Sequence, residues 1–139
     1  MNFWDKHKSI TLLYESLTKS VLDKYNLTQM EYDTMMFLHY KPEQNTLAEI
    51  VRARKSTKSH VSTSLKHLEQ KGFIEKKPRK ENKKYVEIFL SRKANDIVVD
   101  GVNCQKKFMK SLFRNLSDDE MNVFTEIFSK ICKNAEECL

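Results

Sequence analysis

Two glycines and two prolines in 139 residues leave little material for linkers or for the turns of a many-stranded β fold. No repeat or low-complexity run interrupts the chain, so helix has to dominate. The three cysteines, Cys104, Cys132 and Cys138, are odd in number and lack CxxC spacing, which argues against a disulfide framework or a zinc knuckle. His60 and His67 share a helical face but sit about 10 Å apart at ~1.5 Å per residue, too far to chelate one metal directly. No run of about 18 apolar residues exists, and no basic stretch leads into a shorter apolar run near the start, so a cytoplasmic protein is expected. There is no Gly-rich phosphate loop, nucleophile elbow or cluster of carboxylates and histidines; neither an enzyme nor a cofactor is expected.

What the chain does have is positive charge. Twenty-five Lys and Arg against nineteen Asp and Glu give a net charge of +6, which favours a polyanionic partner, and a dimer carries twice as much. The length suits one domain.

The segment from Thr46 to Lys77 carries the most information. Thr46-Leu47-Ala48-Glu49 has the spacing of a capping box, with Leu47, Ile50 and Val51 as the apolar stripe of a short helix. After the polar turn Arg54-Lys55-Ser56, a second helix places Val61, Leu65 and Leu68 at i, i+4 and i+7. Gly72 supplies the left-handed stop. At about 100° per residue, the face opposite that stripe centres on Ser59, Thr63 and Lys66, flanked by His60, Ser62 and His67. None of the six is apolar or acidic. A merely solvated helix usually mixes both charge signs, whereas short hydroxyls with Lys and His suit a helix that donates to phosphates and base edges in a major groove.

Phe73–Lys77 and Tyr85–Leu90 read as two strands, the second alternating Val86, Ile88 and Leu90 against Tyr85, Glu87 and Phe89. The connection between them, Pro78 to Lys84, is basic and suits a wing that meets the DNA backbone or minor groove. The whole is the order of parts in a winged helix-turn-helix. Around it lie a first helix from about Trp4 to Tyr25 with Ile10, Leu13, Leu17 and Val21 on one stripe, and a central apolar helix opened by a Thr28–Glu31 capping box. A long helix from about Ser91 to Asn115 follows, with Ile97, Val98, Val102, Met109 and Leu112 inward. A terminal helix opened by Ser117–Glu120 bears Met121, Phe124, Ile127, Phe128 and Ile131. The terminal helices carry more apolar face than a small reading head can cover. The economical solution is a two-fold homodimer, with Phe3, Trp4, Phe124, Phe128 and Ile131 as interface candidates.

Leu27-Thr28-Gln29-Met30-Glu31-Tyr32, Thr46-Leu47-Ala48-Glu49-Ile50 and the run Ser62–Ile74 with its Leu-Glu-x-Lys-Gly exit together resemble the MarR family of bacterial transcriptional regulators, over essentially the whole chain. The wing departs from that family's Asp-Arg-Arg, having Asn82-Lys83-Lys84, so a mobile point charge stands where a planar guanidinium is usual. The expected fold is mainly α with a small β-wing. One domain spans 1–139, its winged helix-turn-helix at about 28–92 and its dimerisation helices at about 3–25 and 93–137. Ser91 is expected to cap the fifth helix.

The resemblance implies a dimer on double-stranded DNA with a pseudo-palindromic operator, usually a repressor, often released by a small aromatic effector. Lys58, Ser59, His60, Ser62 and Thr63 are the expected base-contacting residues, with Arg54, Lys55, Lys66, Arg79, Lys83 and Lys84 on phosphates. Tyr14, Met36, Tyr40 and Phe108 are the candidates to line an effector crevice. Two alternatives stay open: a winged-helix protein-interaction module without DNA binding, and a thiol-based redox-sensing regulator. The second is weakened because the first helix has no cysteine.

Overall fold

The computed structural model describes residues 1–139. Six α-helices and one hairpin follow one another as α1 (Phe3–Tyr25), α2 (Gln29–Tyr40), α3 (Leu47–Arg54), α4 (Lys58–Gln70), β1 (Ile74–Pro78), β2 (Val86–Leu90), a 3₁₀ turn (Arg92–Ala94), α5 (Asn95–Leu112) and α6 (Asp118–Glu137). No helix is long and apolar enough to cross a membrane. The expected mainly helical fold with a small wing is what forms.

The helix starts obey local capping chemistry. Thr28 and Ser117 complete reciprocal capping boxes with Glu31 and Glu120. Thr46 makes only half of one. Its Oγ1 accepts from the Glu49 N–H at 3.3 Å, but the Glu49 carboxylate takes the Thr46 hydroxyl proton at 2.8 Å instead of reaching the Thr46 N–H. At the end of α4, Gly72 stands at φ 80°, and the Gly72 and Phe73 N–H groups bond the carbonyls of Glu69 and Leu68, each at 3.0 Å. This is the two-bond Schellman closure, and it turns the chain directly into β1.

The core lies in the middle of the chain. Tyr32, Met35, Met36 and Leu38 from α2, Ile50 from α3, and Val61, Leu65 and Leu68 from α4 are all buried, joined by Phe73, Ile74, Ile88 and Ile97. β1 and β2 pair antiparallel from Ile74↔Leu90 to Pro78↔Val86. Ile88 also donates to the Asn45 carbonyl at 2.8 Å, which seats the hairpin beside the start of α3.

Three sequence expectations are corrected. Ser91 does not cap α5, because its hydroxyl donates to the Gly72 carbonyl and a 3₁₀ turn intervenes before the helix. Met109 is exposed, since α5 has outrun the core by that point. Ile10 is exposed as well, because it lies at the rim of an open crevice and not against the core.

Ala at Gly72 would force a side chain into the left-handed region, at a cost of about 1 to 2 kcal/mol. The urea midpoint of Gly72→Ala should fall accordingly at an unchanged slope, and an unshifted midpoint would contradict the Schellman assignment.

Candidate nucleic-acid interface

The Val61–Leu65–Leu68 stripe is buried, so the opposite side of α4 has to face outward. Lys58, Ser59, His60, Ser62, Thr63, Lys66 and His67 are all exposed, while Ser64, on the inner side, is buried. Thr57 caps the helix by accepting the His60 N–H at 3.1 Å. The first turn carries no acidic residue, so its N-terminal dipole is left unneutralised beside Lys58. A groove of about 450 Å³ separates this face from the start of α2. Thr28, Gln29 and Asp33 line one wall, and His60, Thr63 and His67 the other.

The basic residues assigned to phosphates divide into two groups. Lys66, Lys83 and Lys84 are exposed and hold no ion pair. Lys55, in the left-handed turn between α3 and α4, meets Glu136 at 3.3 Å, with both side chains more than half exposed; such a pair contributes little and exchanges readily. Arg54 and Arg79 are engaged inside the chain. The Arg54 guanidinium lies 3.4 Å from the Asp33 carboxylate of α2. Arg79 donates to Glu87 at 3.1 Å and lies over the Tyr85 ring, bracing the base of the wing. Neither is a free cation.

Asp33, which sequence reasoning passed over, is the hub of a polar cluster. It accepts from the Tyr14 hydroxyl, from Gln29 Nε2 at 3.1 Å, and faces Arg54. The i,i+4 spacing of Gln29 and Asp33 was a local sign; Tyr14 and Arg54 reach it only through the fold. Of the expected crevice residues, Tyr14 and Phe108 do come together, edge to face at 5.6 Å. They line an open crevice of about 420 Å³ with Ile10, Thr11, Arg54 and Gln105. Met36 does not join them, being buried against Gly101, and Tyr40 is exposed beside His39 at the far end of α2. Both departures are displacements along α2: Met36 and Tyr40 lie about one and two turns beyond Asp33, so one meets Gly101 of α5 and the other reaches the helix end.

Phe3, Trp4, Phe124, Phe128 and Ile131 are all exposed, Trp4 at 79%. Apart from isolated points such as the Phe113–Phe124 ring contact at 5.4 Å, α6 leans on no other element. Its apolar face is therefore uncovered. Cys104 is half-buried and its thiol donates to the Leu17 carbonyl at 3.3 Å; burial pushes that thiol up, away from the thiolate.

Taken together, the fold and this outward polar helix define a winged helix-turn-helix protein with long flanking helices. Residues 25–84, which hold the helix-turn-helix and the first strand of the wing, match the model of the MarR family. The Bacillus subtilis (strain 168) protein YwhA, an uncharacterised HTH-type transcriptional regulator, is 26% identical over 94 residues, 68% of each chain. Among solved structures, Staphylococcus aureus MepR in its DNA-binding conformation superposes with a TM-score of 0.87 at 18% identity, covering 97% of this chain and 99% of that one. The S. aureus MepR–DNA complex gives 0.81 at 18%, covering 96% and 98%. At such identities the structural likeness establishes the fold.

Burial and then the Asp33 bond hold the Tyr14 phenol above its ordinary range, and burial does the same for Tyr32. A proton held more tightly in the folded state adds stability below the unfolded phenol pKa of about 10 and loses it as pH climbs further. Urea midpoints should therefore fall above about pH 10, and Tyr14→Phe should make that fall shallower. An identical alkaline slope in the variant would count against the buried Tyr14–Asp33 bond.

Proposed function

We propose that this protein is a dimeric, sequence-specific DNA-binding repressor whose grip on its operator is released by a small aromatic effector. The observation that carries the proposal is the outer face of α4. Seven exposed positions from Lys58 to His67 hold only hydroxyls, lysines and histidines, on a helix whose register is set by a fully buried stripe; the exposed Glu69 of its last turn pairs with Lys76 of β1. A protein-docking face would be apolar or acid-rich; this one suits phosphates and base edges. The existence of a DNA complex of MepR, a protein of the same fold, supports the choice of partner.

Lys58, Ser59, His60, Ser62 and Thr63 take the base edges. Lys55, Lys66, Lys83 and Lys84 take phosphates. Arg54 and Arg79 support these contacts from behind, through Asp33 and Glu87. The uncovered faces of α1 and α6 pair with those of a second copy, through Phe3, Trp4, Phe124, Phe128 and Ile131, because apolar surface of this extent is rarely left in water. Two-fold pairing sets two α4 helices toward successive major grooves, about 34 Å apart.

The crevice between Tyr14, Phe108 and Arg54 is where an effector acts. A carboxylate-bearing aromatic packs in the open crevice against the Tyr14–Phe108 pair and competes with Asp33 for the guanidinium. It releases DNA only if it binds the DNA-incompetent spacing better, and operator then weakens effector binding by the same factor.

Sedimentation at micromolar concentration should give about twice 16.5 kDa. A monomer persisting at tens of micromolar would remove the scaffold for paired recognition helices. The roles of helix and wing separate by substitution. Ser62→Ala or Thr63→Ala should reduce the preference for operator over random DNA by about 1 to 3 kcal/mol. Lys84→Ala should weaken both DNAs alike and flatten log K against log salt by about 0.9 for each phosphate it no longer neutralises. A Lys84→Ala effect confined to sequence preference would overturn the wing assignment.

A further inference from the structure

Three helix ends converge on one ammonium group. Lys71, the residue that closes α4, donates from Nζ to the Asn26 carbonyl at 2.7 Å, to Glu31 Oε1 at 2.9 Å and to Oε2 at 3.3 Å. Asn26 is the left-handed cap at the end of α1, which is what turns its carbonyl outward to the lysine. Glu31 sits in the first turn of α2, its side chain only 2% exposed, and its Oε1 also accepts the Thr28 N–H at 3.3 Å. On the other side, Lys93 ahead of α5 donates to the Lys71 carbonyl at 2.8 Å. A carboxylate is rarely buried this deeply unless it is paired and hydrogen-bonded, and here Lys71 is its sole counter-ion.

We infer that the Glu31–Lys71 pair is a strut that sets the tilt of the recognition helix and so determines operator specificity without touching DNA. The inference rests on the DNA-binding reading above. Val61, Ser64, Leu65 and Leu68 fix how deeply α4 sits against α2, α3 and β1. Beyond the last of them, the end of α4 is tied to α1 and α2 by the Lys71 ammonium, and that tie sets its tilt. Because the same ammonium holds the ends of α1 and α2, the aim of Ser62 and Thr63 is referred to the frame that carries the dimerisation helices. Glu31 and Lys71 are thus positioning residues.

The test uses the full-length protein and Glu31→Gln. Gln can still accept the Thr28 N–H, so the start of α2 is kept, while the net charge rises by one. If charge alone governed DNA affinity, this variant would bind operator and random DNA more tightly and to the same degree. The strut predicts the opposite for selectivity: the operator-to-random ratio falls at least about fivefold, the effect of one misaligned base contact. Lys71→Arg, which keeps the cation and its donors, should retain the ratio. Glu31→Gln/Lys71→Met buries no charge and serves where a single variant lowers the melting temperature; it too should lose the ratio while melting as the parent does. Variants that melt and discriminate like the parent would overturn the strut. A parent protein that prefers no sequence would overturn the DNA reading itself, which is a separate result.

Discussion

Val61, Leu65 and Leu68 lie on one side of α4, each at most 2% exposed, against a core built largely from Tyr32, Met35 and Ile50. Their burial is the interaction on which the remainder of the molecule depends. At about 25 cal/mol per Å² of apolar surface, three such side chains contribute several kcal/mol, far more than any exposed polar contact on the same helix. The apolar stripe therefore dictates the register, and the hydroxyl and basic side chains opposite it follow. A one-position rotation of α4 would bury Ser62 and expose Val61. The outward face is a consequence of the inward one.

The second constraint is the uneven distribution of cover. The middle of the chain closes its own core, while residues 3–10 and nearly all of α6 remain exposed with their aromatic and aliphatic groups in water. Between these regions run polar ties: Asp33 to Tyr14 and Arg54, Glu31 to Lys71, and Asp100 to Lys24 and Tyr25. The first two reach the helix-turn-helix through Arg54 and Lys71, while the third fastens the flanking helices α1 and α5 to each other.

Features written within four or five residues of sequence were legible in advance. The Thr28 and Ser117 boxes, the stop at Gly72 and the Val61 stripe depend on neighbours along the chain, so spacing alone identified them. Interactions between distant residues were not. The ion pairs of Arg54 and Arg79, both expected on phosphates, were not legible because Asp33 lies 21 positions from the one and Glu87 emerges as a partner for the other only across the hairpin. Met36 and Tyr40 carry the right chemistry for a crevice, but they lie about one and two turns further along α2 than Asp33, and Ser91 has the right identity for a cap but gives its hydroxyl to the Gly72 carbonyl. Charge and aromatic character can be read residue by residue; which group satisfies which is decided by packing.

The central claim is that the outward face of α4 reads a DNA sequence, twice, in a two-fold arrangement. Selection of bound duplexes from a random oligonucleotide pool tests it most directly. The account predicts enrichment of a shared pseudo-palindrome with half-sites about one helical turn apart. Recovery of unenriched sequence at near-physiological salt would contradict it and favour a winged helix that docks protein.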